Sequence, residues 1–409
     1  MKFTPDIRLL FSTRIVRLFA YGFLSVVLVL YLAQVGLEEG QIGLLLTLTL
    51  VGDTAISLWI TTNADRLGRR RMLLAGALLM IFAGILFVLT RNFALLLLAA
   101  TIGVISPSGN EVGPFLSIEQ AALSQLLPDE RRTQVFSWYN LVGSFATALG
   151  ALTAGLGAQS LQGLGYAPAA SYRMVIVGYA LLGAILILLF LRLSPAMEVA
   201  EGVSAGAERP KAFLGLHRSR GVIFRLAALF SLDAFAGGFV IQSLVAYWFH
   251  IRFGVEPGVL GSIFFGANIL AGISALSAAW VARRIGLINT MVFTHLPSNV
   301  LLILVPFMPT LPLAILMLLL RFSISQMDVP TRQSYTMSVV APDERSAASG
   351  ITGIARTIGA SLSPVITGLF LANPALLALP FVLSGSLKII YDLALFRSFR
   401  GMRPPEERR

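Results

Sequence analysis

Stretches of about 20 consecutive apolar residues, the length that an α-helix needs to cross a bilayer, recur along the whole chain. Only 12% of the 409 residues are charged, roughly half the share found in soluble domains. The sequence therefore predicts an all-α integral membrane protein. We assign twelve membrane spans, at approximately 10–34, 41–61, 72–90, 93–127, 133–157, 173–193, 222–249, 258–281, 288–308, 311–340, 346–371 and 375–396.

Lysines and arginines concentrate in alternate connections between these spans. With both termini in the cytoplasm, Arg91, Arg173 and Arg252 are the only basic residues in the outer connections. The inner connections contain the arginine-rich turns and the basic tail. This asymmetry follows the positive-inside rule. It predicts a multi-pass protein of the cell (inner) membrane with both termini cytoplasmic. The net charge of +11 is then a topology signal, and we expect no nucleic-acid partner.

The chain repeats short motifs in the same order. The pairs are GLEEGQIG at 36–43 with GVEPGVLG at 254–261, ADRLG at 64–68 with ARRIG at 282–286, and LPDER at 127–131 with APDER at 341–345. Their nearly constant spacing indicates that a unit of six spans has been duplicated. We therefore predict two pseudo-symmetric six-helix halves, at 1–193 and 222–396, with a cytoplasmic linker at 194–221 and a cytoplasmic tail at 397–409.

Six plus six spans, a central linker and a charged turn between spans two and three resemble the major facilitator superfamily. The resemblance covers essentially the whole chain, although Thr61 replaces the leading glycine of the superfamily's signature in this turn. The matching positions, all predicted to act in gating, are Asp65, Arg66, Gly68, Arg69 and Arg70. The resemblance implies a secondary transporter that works by alternating access. Its expected partners are a small-molecule solute, protons and the lipid bilayer, and we expect a monomer.

The gating role follows from what such a transporter has to do at the cytoplasmic ends of its spans. Gly68 permits a tight turn, and an acid near a helix N-terminus is stabilised by the helix dipole. We predict that Asp65 caps the start of span eleven near Ser346. Asp53 in span two and Arg356 in span eleven lie at matched depth, and these spans are neighbours in the superfamily. We therefore predict an ion pair between the two halves.

Charged residues inside the spans are the candidates for the transport path. A charge at the membrane centre costs at least about 2.5–3.5 kcal/mol, so each one needs a partner or a function. The resemblance implies that spans one, four, seven and ten line the path. The candidate residues are Arg17, Asn110, Glu111, Glu119, Asp233, Asp328 and Arg332. Depth along the spans predicts that Arg17 contacts Asp233 or Glu119; the alternative is that its side chain extends to the lipid headgroups.

Two pairs of opposite charges are spaced four residues apart, which places each pair on one helix face. They are Asp328 with Arg332 in span ten, and Lys388 with Asp392 in span twelve. Both are predicted to form ion pairs, and the second is predicted to be structural.

Span four contains the run ISPSGNEVGP at 105–114, whose prolines and glycines cannot continue a regular helix. Non-helical backbone at membrane depth is tolerated where it is buried in protein or lines a water-filled cavity. Broken helices are typical of transporter binding sites. The sequence predicts a break that carries Asn110 and Glu111, with Glu119 two turns further on. The alternative is an outer loop before a shortened span that begins near Phe115.

Several function classes are not expected from this sequence. The chain has no cysteine and three scattered histidines, so we predict no metal site and no cofactor. The sequence shows no constellation of nucleophile and base, so we do not expect an enzyme. It also has no ATP-binding loop, so the energy for transport has to come from a gradient.

We predict proton-coupled efflux of a small organic solute. Glu119 is the preferred proton carrier and Glu111 the second candidate, because a buried carboxylate can alternate between neutral and charged forms. Two alternatives stay open. One is a proton-coupled symporter that imports an organic anion or metabolite, held by Arg17, Arg321 or Arg332. The other is a non-transporting membrane sensor of the same fold, whose intramembrane charges would all be paired.

Overall fold

The computed structural model describes residues 4–111, 113–127, 129–198, 218–341 and 344–402, and the regular secondary structure in these ranges is helical. The α-helices, in chain order, are α1 (Pro5–Gln34), α2 (Glu39–Leu67), α3 (Arg69–Leu89), α4 (Phe93–Ile102), α5 (Phe115–Leu126), α6 (Asp129–Gly163), α7 (Pro168–Phe190), α8 (Arg220–Gly238), α9 (Gln242–Phe253), α10 (Pro257–Ile285), α11 (Leu287–Leu304), α12 (Leu311–Ser325), α13 (Asp328–Ser338), α14 (Arg345–Leu371) and α15 (Leu379–Phe399). The described residues contain 11 candidate spans that are long and apolar enough to cross a membrane. Span four consists of the shorter helices α4 and α5. The predicted all-α membrane fold is confirmed.

Local sequence signals fix where several helices begin. The Thr4 hydroxyl accepts the backbone N–H of Ile7 at 3.4 Å, and Pro5 occupies the first position of α1, where a missing N–H costs nothing. The Asn92 side chain accepts two N–H groups of the first turn of α4 at 3.0 and 3.2 Å. These caps satisfy backbone donors that the helices themselves leave unpaired.

The chain divides into two compact units. The first unit comprises Met1–Ala205 and Ile241–Asn268. Within it, α1 packs along α6 and α7, and α3 packs along α7. Helix α9 also packs against α1, and the Tyr247 hydroxyl donates to the Glu39 carboxylate at 2.9 Å.

The second unit comprises Gly206–Val240 and Ile269–Arg409. Within it, α8 packs along α14 and α15, and α11 packs along α12, α13 and α15. Phe230, Tyr335 and Tyr391 are buried in its hydrophobic core. The predicted boundary between the sequence halves stays a prediction, because most of the linker lies outside the described residues.

Helix pairs at corresponding positions of the predicted repeat pack closely in each unit. Spans one and five (α1 and α6) correspond to spans seven and eleven (α8 and α14). In both pairs a glycine permits direct backbone approach. A Cβ atom at Gly22 would lie 2.0 Å from the Thr147 carbonyl oxygen, and one at Gly359 would lie 2.3 Å from the Ser231 carbonyl oxygen.

The glycines of the repeated turns share a positive φ angle. Gly36 and Gly254, which the repeat aligns, have φ angles of 97° and 66°. Gly68 and Gly286, which it also aligns, have φ angles of 99° and 87°. Residues with a Cβ atom rarely adopt positive φ, so the turns require glycine at these repeated positions.

Spans four, seven and ten are each broken into two helices. The predicted break in span four is present: residues 103–111, 113 and 114 are non-helical, and 103–107 are buried, unlike an exposed outer loop. Spans seven and ten were predicted only by their approximate bounds, 222–249 and 311–340, and their breaks were not predicted. Span seven is interrupted at 239–241, directly after a glycine pair that weakens the helix, and span ten at 326–327, within a polar run.

Candidate functional site

Arg17 is the centre of a buried ion-pair cluster in the first unit. Its Nη1 and Nη2 atoms each donate to one Glu119 carboxylate oxygen at 2.7 Å, and its Nε atom donates to Glu111 at 2.7 Å. The Arg17 side chain is 0% exposed, and its guanidinium lies 4.8 Å from the centre of the Phe115 ring. The predicted contact between Arg17 and Glu119 is thus present, and Arg17 is shared between two carboxylates.

Glu119 is fully enclosed by hydrogen-bond donors. Besides Arg17, the Thr13 hydroxyl donates to its carboxylate at 2.8 Å, and the Tyr139 hydroxyl donates to it as well. Its side chain is 0% exposed. These donors satisfy a carboxylate that would otherwise be very costly to bury.

Glu111 lies in the break of span four and binds two arginines. Arg14 Nη1 contacts one of its carboxylate oxygens and Arg17 Nε the other. The Glu111 side chain is 14% exposed, so it is the more accessible of the two glutamates. Asn110, the neighbouring candidate, is exposed, and its side chain makes no hydrogen bond among the described residues. We call the four charged residues the arginine–glutamate cluster: Arg14, Arg17, Glu111 and Glu119.

The non-helical backbone that presents Glu111 is fixed by side chains of the same unit. The Ser106 hydroxyl donates to the Asn110 carbonyl at 2.7 Å, and the Tyr179 hydroxyl donates to the Val104 carbonyl. Irregular backbone at membrane depth is tolerated when its polar groups are satisfied in this way.

Asp233 is the centre of a comparable cluster in the second unit. Its carboxylate pairs with Lys388 Nζ at 2.6 Å and with Arg332 Nη1 at 3.0 Å. Arg332 also pairs with Asp328 at 3.2 Å, so the ion pair that the spacing predicted in span ten is present. All four side chains are buried. We call them the aspartate cluster: Asp233, Asp328, Arg332 and Lys388.

Lys388 and Asp392 do not pair with each other, contrary to the prediction from their spacing. Lys388 turns to Asp233 on α8, while the Asp392 carboxylate contacts His295 Nδ1 and accepts from Asn299 Nδ2, each at 2.9 Å. Two side chains on one helix face can reach each other. Here, however, α8 provides the partner of Lys388 and α11 provides the partners of Asp392.

Two partly buried arginines of the second unit have no ion-pair partner among the described residues of that unit. They are Arg321 in α12 and Arg356 in α14, and the buried Nε atom of each has no hydrogen-bond acceptor there. Asp53, the predicted partner of Arg356, is buried in the first unit and accepts from the Ser57 hydroxyl at 3.4 Å. The predicted pair of Asp53 with Arg356 stays a prediction.

The charged turn between α2 and α3 is bound by Glu198. The Glu198 carboxylate accepts the backbone N–H groups of Arg69 at 2.7 Å and Arg70 at 3.0 Å, at the N-terminus of α3 where an anion is favoured. The buried Arg69 side chain donates to Gln125 at 2.9 Å, whereas Arg66 is exposed. The turn is therefore tied to the residues that follow span six and to the end of span four.

The predicted cap of span eleven concerns the side chains of Asp65 and Ser346, which lie outside the described residues. It stays a prediction. The tight turn expected of Gly68 is confirmed by its φ of 99°.

Replacing Glu198 with alanine is expected to reduce the free energy of unfolding by about 0.5–2 kcal/mol, as for the loss of other helix N-caps. The substitution leaves two N–H groups of α3 without their acceptor. The measurement is the thermal unfolding midpoint of the purified protein in detergent. Glu198→Gln keeps one acceptor oxygen and is expected to lose less. Equal stability of both variants and the unmodified protein would contradict this role.

Sequence reasoning missed several of these residues. Arg14 lies three positions before Arg17, which places both on one face of α1, and this spacing was an available signal. Tyr139, Glu198 and His295 carried no comparable signal, because their partners come from distant parts of the chain. Among the described residues, no group of at least three His, Cys, Asp or Glu side chains could hold a metal ion.

An all-helical membrane fold with broken spans and buried charge clusters defines a polytopic protein of the transporter class. The sequence profile of the Major Facilitator Superfamily matches residues 10–364. The chain belongs to the major facilitator superfamily.

Known proteins resemble the chain over nearly its full length. The uncharacterized membrane protein YJR124C of Saccharomyces cerevisiae is 33% identical over 424 residues, which cover 97% of this chain and 94% of that protein. The structure of the nucleoside transporter NupG matches with a TM-score of 0.77 at 14% identity, covering 96% of this chain and 99% of that chain. A bacterial homolog of the human lysosomal transporter Spinster matches with a TM-score of 0.73 at 17% identity, covering 98% and 99%. The two structures share the fold, and the family makes secondary transport the general function of this chain.

Proposed function

We propose that the chain is a proton-coupled secondary transporter of a small organic solute and that Glu111 takes up the proton. One observation carries this proposal. Arg17 is shared between Glu119, which is 0% exposed, and Glu111, which is 14% exposed in the break of span four. A proton that reaches this cluster from water meets Glu111 first.

The geometry favours Glu111 over Glu119, the carrier preferred from the sequence. The Glu119 carboxylate is held by both terminal nitrogens of Arg17, by Thr13 and by Tyr139, so its protonation would weaken four contacts. Protonation of Glu111 weakens only its contacts with Arg14 and Arg17.

Protonation of Glu111 also changes the charge of the cluster. Two arginines and two ionised glutamates sum to zero, and a neutral Glu111 leaves one positive charge. Arg14 and the Nε atom of Arg17 then become available to other groups. This coupling between proton uptake and released arginine contacts is the physical link that a proton-driven transporter needs.

A non-transporting sensor of the same fold is the competing function. It requires that every intramembrane charge be paired. Arg321 and Arg356 have no ion-pair partner among the described residues of their unit, which favours a solute-handling role over an inert scaffold.

The proposal also includes a direction, a location and an orientation. The direction is efflux, the location is the cell (inner) membrane, and both termini are cytoplasmic. They rest on the positive-inside pattern and on the sequence arguments given above. Solute accumulation in inside-out but not right-side-out membrane vesicles, with an acidic interior in the former, would support efflux.

The proton role is tested in proteoliposomes that contain a pH-sensitive dye, with a panel of small organic anions, cations and neutral compounds as solutes. We expect at least one solute to drive proton movement through the unmodified protein. Glu111→Gln, which imitates the protonated side chain, should abolish this movement but retain downhill exchange of the same solute. Exposed Glu38→Gln is the control and should behave as the unmodified protein. Normal proton movement in Glu111→Gln would exclude Glu111 as the carrier.

A further inference from the structure

Of the seven buried side-chain atoms in the second unit that have no hydrogen-bond partner among the described residues, four are considered for one site. They are Arg321 Nε, Ser325 Oγ, Arg356 Nε and the Tyr391 hydroxyl oxygen. The great majority of buried polar groups in proteins are hydrogen-bonded, and an unsatisfied one is costly. Such a group of unsatisfied atoms within one unit therefore points to a ligand that the described residues do not themselves supply.

Three of these side chains share the same electrostatic surroundings. Arg321, Arg356 and Tyr391 each interact with the charges of Asp233 and Asp328. The three groups therefore lie around the aspartate cluster, although neither arginine is within ion-pair distance of a carboxylate that the structure describes in this unit.

Positive charge exceeds negative charge in this region. Asp233 and Asp328 are already occupied by the cations of the aspartate cluster, and Asp392 is held by other groups at 2.9 Å. The addition of Arg321 and Arg356 gives four cations against three carboxylates. Arg356 is moreover repelled by the neighbouring arginine of the cluster. An additional anion would remove this imbalance.

The break in span ten places two of the free groups together. Arg321 and Ser325 are four residues apart and lie on one face of α12, whose last residue is Ser325. The helix is then interrupted at 326–327. Broken helices at membrane depth are where transporters commonly expose polar groups to their solutes.

We propose that Arg321 and Arg356, together with the Ser325 and Tyr391 hydroxyls, form an anion subsite that binds a carboxylate or phosphate group of the transported solute. Guanidinium groups match the oxygens of such anions in charge and in geometry. The assignment rests on the proposed transport function. It deepens that function by naming organic anions as the substrate class, which the sequence left as an alternative.

The test uses four aromatic probes of similar size that differ in charge: benzoate, phenyl phosphate, benzyl alcohol and benzyltrimethylammonium. The purified full-length protein is titrated with each probe, and the thermal unfolding midpoint is recorded without any gradient. We expect a saturable rise with at least one of the two anions and none with the neutral or cationic probe. An equal rise with the cation, or no rise with either anion, would overturn the subsite.

Arg321→Gln and Arg356→Gln are each expected to weaken the apparent affinity for the anion about tenfold or more, because each removes a charged donor. Arg284→Gln, which removes an exposed arginine of the same unit, is the matched control and should bind normally. If a glutamine variant does not fold, the corresponding lysine variant keeps the charge but loses the paired guanidinium donors, and it is also expected to weaken anion binding. Unchanged anion affinity in the folded variants of both positions would contradict the assignment.

Two further arms separate the subsite from competing explanations. In nanodiscs, replacing part of the phosphatidylcholine with phosphatidylglycerol should not suppress the anion effect, and suppression would assign the site to a lipid headgroup instead. Asp53→Asn should also bind the anion normally. A marked rise in anion affinity in Asp53→Asn would instead indicate that Arg356 is occupied by the predicted pair with Asp53.

This equilibrium measurement is independent of proton coupling. Normal proton movement in Glu111→Gln would overturn the proposed proton carrier but leave anion binding unaffected. If no anion binds but Glu111→Gln loses proton movement as expected, only the assignment of organic anions as the substrate class is refuted.

Discussion

Replacing Arg17 with glutamine is expected to abolish transport and to lower the free energy of unfolding by about 3–5 kcal/mol. This is the usual cost of removing one partner of a buried ion pair. Arg17 is 0% exposed and serves both Glu111 and Glu119. Its loss leaves Glu119 buried without a cation. The measurements are the thermal unfolding midpoint and the yield of monodisperse protein in detergent.

A double variant tests whether Arg17 and Glu119 stabilise each other. Arg17→Gln combined with Glu119→Gln removes the orphaned carboxylate and leaves Arg14 and Glu111 as a neutral pair. The double variant is expected to be more stable than the sum of the two single losses predicts. Exposed Arg91→Gln is the control and should be as stable as the unmodified protein. Strict additivity of the two losses would show that Arg17 and Glu119 do not stabilise each other.

The Asp233→Asn substitution is expected to have the next largest effect, at about 3 kcal/mol or more of lost stability. Asp233 is the only acid within ion-pair distance of Lys388 in the described part of the chain, at 2.6 Å. Without it, a buried ammonium loses its counter-charge, whereas Arg332 keeps Asp328 at 3.2 Å. The thermal unfolding midpoint of the purified protein measures the loss.

Asp328→Asn is the matched comparison for this variant. It is expected to be less harmful, because Arg332 retains Asp233 at 3.0 Å and no cation is left alone. Combining Asp233→Asn with Lys388→Met should recover part of the lost stability by removing the orphaned charge. Equal losses in Asp233→Asn and Asp328→Asn, or no recovery in the combined variant, would argue against the arrangement described here.

Much of the fold could be predicted from the sequence because its signals are local. Apolar runs of span length identify membrane helices, since backbone groups in hydrocarbon must be satisfied within the helix itself. The prolines and glycines at 105–114 predicted the break in span four, because these residues cannot continue a helix. The breaks in spans seven and ten were missed, because a glycine pair and a polar run are weaker signals.

The candidate site was predicted unevenly. Arg17, Glu111, Glu119 and Asp233 were found because ionisable residues inside apolar spans are conspicuous. Which of them pair could not be read from spacing alone. The Lys388 and Asp392 side chains share one helix face, yet each has its partners on other helices.

The sequence by itself determined that this chain is a duplicated, all-helical membrane protein with buried charges in its spans. These features depend on composition, repeat spacing and the cost of exposing backbone or charge to hydrocarbon. Only the tertiary structure decided that Arg17 is shared between two glutamates, that Asp233 holds Lys388, and that Glu198 binds the turn before α3. The physical reason is that an ion pair forms between groups that packing brings within about 4 Å, and that distance depends on contacts between residues far apart in the chain.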